Sequence, residues 1–154
     1  MAYHISCKTF EQLSLIELYE ILKIRQEVFI VEQDCPYLDA DDLDKKAHHM
    51  MLWDEQTGRL AAYTRLLEKG LSYPNYCSIG RVLSHGDFRQ KGYGRLVMQQ
   101  SIYQMKVFYP TIDIKISAQT YLLKFYNSLG FKEVGEGYLE DGIPHIGMIR
   151  EQNA

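Results

Sequence analysis

The chain has 154 residues, of which 46% are hydrophobic and 24% charged, a composition typical of a globular protein with one core. We therefore expect a single domain over residues 1–154. The net charge of −3 argues against a broad nucleic-acid-binding surface, because such surfaces are strongly basic. No apolar stretch approaches the ~20 residues that span a bilayer. The first residues lack the pattern of a signal peptide, so we expect a cytoplasmic protein without a membrane partner.

The first half of the chain predicts a strand, a helix and a pair of strands. Apolar and polar residues alternate over residues 3–7, which indicates a half-buried strand. Ser14 and Glu17 form a capping-box pattern, and the apolar residues after them predict one helix to about Glu32, including Leu15 and Val31 in its buried surface. This helix is expected to be buried over more than half of its circumference. A polar loop follows at residues 34–46, then strands at 47–53 and 59–67.

The second half alternates strands with helices. Pro110 is expected to stop the long helix, and Gly130 to cap the short one. A turn at Asp141 and Gly142 is expected to join the last two strands. The predicted elements are a strand at residues 77–83, a helix from after Gly92 to about Tyr109, a strand at 112–118, a helix at 122–129, and strands at 131–136 and 145–150. Together they predict a mixed α/β (α+β) domain built on one sheet.

The segment RQKGYG, which starts at Arg89, joins a predicted strand to the long helix. The first turn of a helix leaves backbone N–H groups unpaired at the positive end of its dipole, and such groups bind anions. Gly92 and Gly94 would let a phosphate approach this backbone, while Arg89, Lys91 and Arg95 would add charge around the rim. The segment matches neither a Walker loop nor a dinucleotide-binding motif. It predicts a pyrophosphate site, and the alternative is an ordinary helix start with solvated cations.

The order of these motifs resembles the GNAT acetyltransferase superfamily. The matching pieces are a strand, the Arg-x-x-Gly-x-Gly of residues 89–94, a long helix, a strand and the segment FYNSLGF at residues 125–131. The segments VFIVEQDCPYLDADDLD and EDGIPHIGM resemble the ElaA branch of that superfamily. The resemblance spans nearly the whole chain. It implies a mixed, mostly antiparallel central sheet that is flanked by helices and has two splayed central strands.

The resemblance also implies a co-substrate, acetyl-CoA, whose pantetheine arm enters the gap between the splayed strands at residues 78–83 and 112–118. Backbone amides of residues 90–95 would bind its pyrophosphate, and one splayed strand would pair with pantetheine. The residues assigned to the coenzyme are Val82, Leu83, Arg89, Gln90, Lys91, Gly92, Tyr93, Gly94 and Arg95.

The implied reaction is transfer of an acetyl group to a primary amine by direct attack in a ternary complex. Such a reaction needs a neutral amine, a donor for the developing oxyanion and a proton for the departing thiolate. The splayed strand would supply the oxyanion donor as a free N–H near Val82 or Leu83. Tyr126 matches the position of the superfamily's general acid. From spacing alone, the alternative is a core aromatic residue.

The general base is open. Many GNAT enzymes use a carboxylate on the strand before the glycine turn, but residues 78–83 contain none and carry Arg81. His145 can accept a proton near neutral pH, and Glu32 ends the predicted first helix. The candidates are therefore His145, Glu32 and a water relay, and each of the two side chains also has a purely structural alternative.

Aspartates crowd the loop after the first predicted helix. An acidic rim there would attract a cationic amine, and a solvated charged loop is the alternative. Their spacing does not fit an EF-hand, and His48 and His49 alternate along a strand, so no metal site is expected. The aspartates are Asp34, Asp39, Asp41, Asp42 and Asp44.

Two rival functions fit parts of the sequence. A non-catalytic acyl-CoA sensor would keep the coenzyme site without the reaction, and an RNA-binding module would use the cations and Tyr93 of RQKGYG. For the leading function we expect a small-molecule or peptide amine as acceptor, with no nucleic-acid partner, and a homodimer is compatible with the resemblance. Cys7, Cys35 and Cys77 lack a CxxC spacing and are expected to be reduced thiols.

Overall fold

The computed structural model describes residues 2–152, in which strands form two antiparallel sheets with helices packed around them. The strands are β1 (Tyr3–Thr9), β2 (His48–Asp54), β3 (Arg59–Leu67), β4 (Ser78–Ser84), β5 (Ile114–Gln119), β6 (Lys132–Glu140) and β7 (Ile143–Arg150). The α-helices are α1 (Leu15–Arg25), α2 (Tyr93–Phe108) and α3 (Leu123–Ser128). A π-helical segment follows α1 at Gln26–Glu32, and short 3₁₀ segments occupy Phe10–Gln12, Leu43–Lys46, Gly86–Lys91 and Thr120–Leu122.

The two sheets meet where β4 and β5 begin. The first sheet has the order β1-β2-β3-β4 and the second the order β5-β7-β6. Cys77 and Ile114 form a parallel bridge, in which the Cys77 N–H donates to the Asp113 carbonyl at 3.2 Å and the Lys115 N–H donates to the Cys77 carbonyl at 2.9 Å. Beyond this bridge β4 and β5 separate. The predicted fold, a mostly antiparallel sheet with splayed central strands, is confirmed.

Apolar side chains pack on both faces of the sheets and hold the splayed strands in place. On one face, Val97 and Met105 of α2 join Ile116 of β5 in a core that also includes α3. On the other face, Ile21 of α1 packs with Tyr63 of β3. Full burial of one such side chain contributes about 1.5–3 kcal/mol, so the two cores fix the sheet from both sides.

The start of the first helix follows the sequence prediction, but its later part does not. The Glu17 N–H donates to Ser14 Oγ at 3.0 Å, and the Ser14 N–H donates to Glu17 Oε1 at 2.8 Å, which confirms the capping box. The α-helix ends at Arg25, and the wider turns of the π-helix at Gln26–Glu32 continue the chain. The predicted end near Glu32 is confirmed, but the sequence did not predict the change from α-helix to π-helix after Arg25.

The expected burial of this helix over more than half of its circumference was wrong. Leu15 is 87% exposed and Val31 is 74% exposed. The helix meets the sheet through a narrower stripe that contains Ile21 and Ile24, and Arg25 beside them is fully buried. Arg25 thus occupies part of the buried helix surface, where the sequence pattern predicted only apolar side chains.

Most other boundaries lie close to those predicted, with two differences. The strand predicted at residues 112–118 begins at Ile114, because Ile112 still closes a turn by donating its N–H to the Tyr109 carbonyl at 3.2 Å. β6 extends beyond the predicted end to Glu140, so β6 and β7 form a longer hairpin. Its turn lies at Asp141 and Gly142, both with positive φ, as the sequence predicted.

Three simple properties of the chain bear on its chemistry. Within residues 2–152, no helix is long and apolar enough to cross a membrane. Cys7, Cys35 and Cys77 are free thiols, which agrees with the expectation from their spacing. Burial raises the pKa of Cys7 and Cys77 to about 11, so both are protonated at neutral pH.

Candidate active site

A cleft of about 800 Å³ opens between β4 and β5. Its walls include residues of both separated strands, of the π-helical segment on one face and of α3 on the other. Ligand pockets of proteins typically measure about 300–1,000 Å³, so the cleft is large enough for an extended small molecule. The bridge at Cys77 and Ile114 closes its narrow end.

β4 carries a β-bulge in the wall of this cleft. The register with β3 shifts between Gly80 and Leu83, so that Arg81 and Val82 together lie opposite Thr64. Arg81 has a φ of 49°, in the left-handed region that residues other than glycine rarely adopt. Bulges bend a strand and redirect its side chains, and they occur often beside active sites. No sequence pattern predicted this one.

Val82 is the second residue of the bulge and Leu83 follows it, and both line the cleft. In the described part of the chain, the edge of β4 that faces β5 has no strand partner beyond the bridge at Cys77. Backbone groups on such an edge can pair with an extended ligand as they would with another strand. The edge of β4 at Val82 and Leu83 is therefore open to such a ligand.

The first turn of α2 lies at one end of the cleft. The Leu96 N–H donates to the Gly92 carbonyl at 3.1 Å as the first bond of the helix, so the N–H groups of Tyr93, Gly94 and Arg95 precede the regular ladder. Gly92 adopts a φ of 76°, which glycine tolerates best. Gly92, Gly94 and Arg95 line the cleft. These groups can accept an anion of the size of a pyrophosphate.

Two arginines beside this turn line the cleft. Arg89 donates from Nε to the Ser84 carbonyl at 3.1 Å, and its Nη2 lies 2.5 Å from Glu32 Oε2. Arg95 donates from Nη2 to Ser128 Oγ at 2.8 Å. Both guanidinium groups are therefore positioned by protein contacts at the end of the cleft where the helix begins.

Lys91 does not add charge to this rim, which corrects the sequence expectation. Its ammonium lies 3.4 Å from Asp54 Oδ1 and close to the rings of Phe88 and Tyr93. The Tyr93 hydroxyl donates to the same carboxylate at 2.6 Å and lowers the pKa of Asp54 to about 2. The side chains of Lys91 and Tyr93 therefore hold the turn on the side that points away from the cleft. Gln90 is exposed and is not among the residues that line the cleft.

Tyr126 lies on α3 in the wall of the cleft and is 5% exposed. Phe125 and Phe131 pack edge-on against its ring, with centroids 5.2 and 6.0 Å away. Within residues 2–152 its hydroxyl has no hydrogen-bond partner. Burial raises the pKa of Tyr126 far above its usual value, so the phenol is protonated at neutral pH and can donate into the cleft.

His145 lies near the start of β7 and also lines the cleft. Its Nδ1 is 2.7 Å from the Ile143 carbonyl, and because a carbonyl can only accept, Nδ1 carries the hydrogen. In the neutral ring Nε2 then has a free lone pair. This atom lies 3.5 Å from Glu140 Oε2.

Glu32, the other candidate base, lies in a different part of the cleft. Glu32 forms an ion pair with Arg89. Its Oε1 also lies close to Gly86, at 3.6 Å from the position that a Cβ atom on this glycine would take. Glu32 is thus next to the loop between β4 and α2, whereas His145 pairs with Gln119 at the end of β5. Among the described residues, no hydrogen bond or ion pair joins Glu32 to His145.

The acidic loop is not a free acidic rim. Asp34 and Asp42 are exposed, but the other three aspartates form ion pairs of 2.6–3.4 Å with arginines. Although burial opposes it, ion pairing with Arg25 lowers the pKa of Asp44. The pairs are Arg25 with Asp39 and Asp44, Arg65 with Asp41 and Asp44, and Arg81 with Asp39 and Asp41. Their three positive and three negative charges offset one another.

This ion-pair network was missed by the sequence analysis, although one signal pointed to it. Arg25 interrupts the apolar stripe between Ile24 and Val28, and an arginine at such a position needs buried acidic partners. Through Arg81 the network also holds the bulge of β4. The loop therefore supports one wall of the cleft.

The two adjacent histidines have separate structural roles. His49 is buried and bonds to the Tyr63 hydroxyl at 2.6 Å and to the Asp44 carbonyl at 2.9 Å. The ring of His48 packs on Phe108, with centroids 4.5 Å apart. In the part of the chain that the structure describes, no three His, Cys, Asp or Glu side chains converge as metal ligands would.

Comparisons with known proteins agree with this geometry. The family model of the acetyltransferase (GNAT) domain matches residues 24–152. A UPF0039 protein of Synechocystis is 43% identical over 146 residues, which cover 94% of this chain and 92% of that protein. Protein ElaA of Escherichia coli is 39% identical over 142 residues, which cover 91% of each.

Two crystal structures share both the fold and a substantial part of the sequence. An acyl-CoA N-acyltransferase from Pseudomonas aeruginosa has a TM-score of 0.87 at 41% identity, and the match covers 96% of this chain and 99% of that one. Escherichia coli ElaA has a TM-score of 0.89 at 35% identity, with 97% and 100% covered. With its splayed strands and the glycine turn before α2, the chain belongs to the GNAT acetyltransferase family, within which it is similar to ElaA.

Proposed function

We propose that this protein is an acetyl-CoA-dependent N-acetyltransferase that acts on a primary amine by direct attack in a ternary complex. The observation that carries the proposal is the cleft between β4 and β5, which combines a free strand edge with a helix N-terminus and with the unpartnered hydroxyl of Tyr126. Membership of the GNAT family supports acyl transfer from an acyl-CoA. The acyl-CoA N-acyltransferase from Pseudomonas aeruginosa supports nitrogen as the acceptor atom.

The coenzyme would bind along β4. Its pyrophosphate would accept hydrogen bonds from the backbone at residues 92–95, with Arg95 and Arg89 beside it. In the structure Arg89 is paired with Glu32, so a phosphate would compete with this carboxylate for the guanidinium. Pantetheine would pair with the free edge at Val82 and Leu83.

In the chemical step, the amine nitrogen attacks the thioester carbonyl carbon, and the bond from that carbon to sulfur breaks. A backbone N–H near the bulge, at Val82 or Leu83, would donate to the developing oxyanion. The coenzyme leaves as a thiolate, and Tyr126 would give it a proton. The Tyr126 phenol has no competing partner among the described residues, so its hydroxyl is free to donate a hydrogen bond toward the sulfur.

His145 is the base that the geometry favours. The Ile143 carbonyl fixes the proton on Nδ1, which leaves Nε2 to accept the proton of the amine, directly or through one water molecule. Glu140 would stabilise the charged ring that results. Glu32 is paired with Arg89 beside the loop before α2, where it would influence the coenzyme instead of the amine.

The proposal is tested by incubating the protein with acetyl-CoA and a panel of primary amines. Release of free thiol and a mass increase of the amine by one acetyl group are expected. We expect His145→Gln to lower kcat by about 10²-fold or more, as for other positioned bases. Tight acetyl-CoA binding without turnover on any amine would instead indicate an acyl-CoA sensor. Polynucleotide binding that acetyl-CoA does not displace would indicate the RNA-binding alternative.

A further inference from the structure

A group of polar side chains from β5, β6 and β7 surrounds one carboxylate in the cleft. Glu140 Oε1 accepts from Ser117 Oγ at 3.2 Å, and Glu140 Oε2 lies 3.5 Å from His145 Nε2. The hydroxyls of Ser117 and Tyr138 also share a hydrogen bond. Glu140 lines the cleft, and its side chain is half exposed, so a small ligand can reach it.

Aromatic rings lie around this carboxylate. The ring of Tyr138 stacks on His145 with a centroid distance of 6.2 Å. Tyr73, from the loop between β3 and β4, also lines the cleft, and burial followed by the proximity of Tyr138 and Glu140 raises its pKa. A carboxylate with tyrosine side chains close by suits an ammonium ion, because carboxylates and aromatic rings both attract positive charge. The Tyr73 ring already has a cation beside it, because the Lys115 ammonium lies 5.0 Å from its centroid.

The position of Ser117 relates this group to the reaction site. β4 and β5 leave their parallel bridge at Cys77 and Ile114 in the same direction. Ser117 lies three residues beyond Ile114, and Gly80 lies three residues beyond Cys77, so the two stand at the same level on opposite sides of the gap. The bulge that begins after Gly80 is where the thioester carbonyl would bind. Through its hydrogen bond with Ser117, Glu140 therefore lies at the same height along the cleft as the proposed site of amine attack.

Most carboxylates that line the cleft are already paired with arginines. The arginines and aspartates of the ion-pair network offset one another, and Glu32 is paired with Arg89. Among the described residues that line the cleft, Glu140 and its neighbour Asp141 are the carboxylates without an arginine or lysine partner. Near them the wall is apolar or aromatic, with Ile143 on β7 and the exposed Tyr37 and Leu38.

We propose that Glu140, positioned by Ser117 and flanked by Tyr138, binds the ammonium group of the acceptor. The acceptor is then a small primary amine with one positive charge on an apolar or aromatic body. This inference rests on the proposed function. The ammonium gives one proton to Nε2 of His145, and the lone pair that this frees attacks the thioester carbonyl carbon.

The test compares Glu140→Gln with Asp141→Asn, a matched change at the neighbouring carboxylate of the same cleft. Asparagine tolerates the positive φ of Asp141, so the control keeps its backbone. Phenethylamine, spermidine and a short peptide with one internal lysine serve as acceptors. For phenethylamine, we expect Glu140→Gln to raise KM about tenfold or more and Asp141→Asn to change it by less than about twofold. The KM for acetyl-CoA should change little in either variant.

The wild-type protein should use phenethylamine with at least about tenfold higher kcat/KM than spermidine or the peptide. Equal effects of the two substitutions on KM would overturn the assignment of Glu140. They would indicate that the amine responds to the total negative charge of the cleft and not to one carboxylate. A preference for spermidine or for the peptide would overturn the proposed acceptor class. Thermal unfolding of both variants should match that of the wild type, which excludes a folding defect.

Calorimetry separates a failure of this inference from a failure of the proposed function. If the protein binds acetyl-CoA but acetylates none of the amines, the proposed transferase activity is wrong. Phenethylamine is then titrated into the CoA-bound protein. Binding that Glu140→Gln weakens by about tenfold would still support the ammonium site, whereas equal or absent binding in both forms would overturn it.

Discussion

The Tyr93 hydroxyl donates a hydrogen bond to the buried Asp54 carboxylate at 2.6 Å and so ties the first residue of α2 to the last residue of β2. Lys91 and Thr57 contact the same carboxylate. These contacts lie behind the turn that carries Gly92 and Gly94. The proposed pyrophosphate site is therefore held in position by residues that do not line the cleft.

This anchor predicts a stability effect that depends on pH. Folding lowers the pKa of Asp54 from 3.8 to about 2, so its contribution is complete above pH 3.8 and is lost as the pH falls through about 2. Asp54→Asn should therefore lower the melting temperature near neutral pH, and the deficit should shrink between these two pH values. Thermal unfolding across the acidic range measures this. Asp42→Asn is the control, because the Asp42 side chain is 91% exposed. A deficit that is constant with pH would contradict the role of the charge.

A second prediction separates coenzyme binding from folding. Gly94→Ala should keep or slightly raise stability, since alanine favours a helix by up to about 1 kcal/mol over glycine. The added Cβ meets Ser84 at an ordinary 3.6 Å. On the cleft side, however, it would push a phosphate away from the backbone, so we expect acetyl-CoA affinity to fall about tenfold by calorimetry. Gln100→Ala, on the exposed side of the same helix, should leave affinity unchanged. An unaltered affinity in Gly94→Ala would place the pyrophosphate elsewhere.

A third prediction concerns the proton for the thiolate. Tyr126→Phe removes a hydroxyl that has no partner among the described residues, so the fold should be unaffected. We expect kcat to fall about tenfold to a hundredfold while acetyl-CoA affinity changes little. Steady-state kinetics and calorimetry give the two values. Tyr121→Phe is a matched control, because Tyr121 also lines the cleft but is 73% exposed. Equal kcat values for Tyr126→Phe and the wild type would remove Tyr126 from the mechanism.

A fourth prediction concerns the ion-pair network. Arg25 is fully buried between Asp39 and Asp44, so Arg25→Met would leave the three aspartates of the network with only Arg65 and Arg81 as partners. We expect a loss of about 3–5 kcal/mol in the free energy of unfolding, measured by urea denaturation. Lys45→Met is the control, since Lys45 pairs with Asp42 on the surface and should contribute less than about 1 kcal/mol. A small loss in Arg25→Met would show that the aspartates find other partners.

The sequence by itself determined the features that depend on neighbouring residues. The capping box at Ser14 and Glu17, the turn at Asp141 and Gly142 and the glycine turn before α2 each follow from local backbone preferences, and the structure contains all three. The order of these local motifs was also enough to indicate the family. Local preferences can be read in sequence because the residues that satisfy one another are a few positions apart.

Only the tertiary structure decided how the charges are used. Lys91 lies in a basic segment but pairs with Asp54, and the aspartates after the first helix mostly serve buried arginines instead of a substrate. The bulge at Arg81 likewise depends on Asp39, which lies far away along the chain. The energy of a charged group depends on its partners and on its burial, and both are set by contacts between distant segments. A charge in a sequence therefore looks the same whether it is solvated, buried or bound to a ligand.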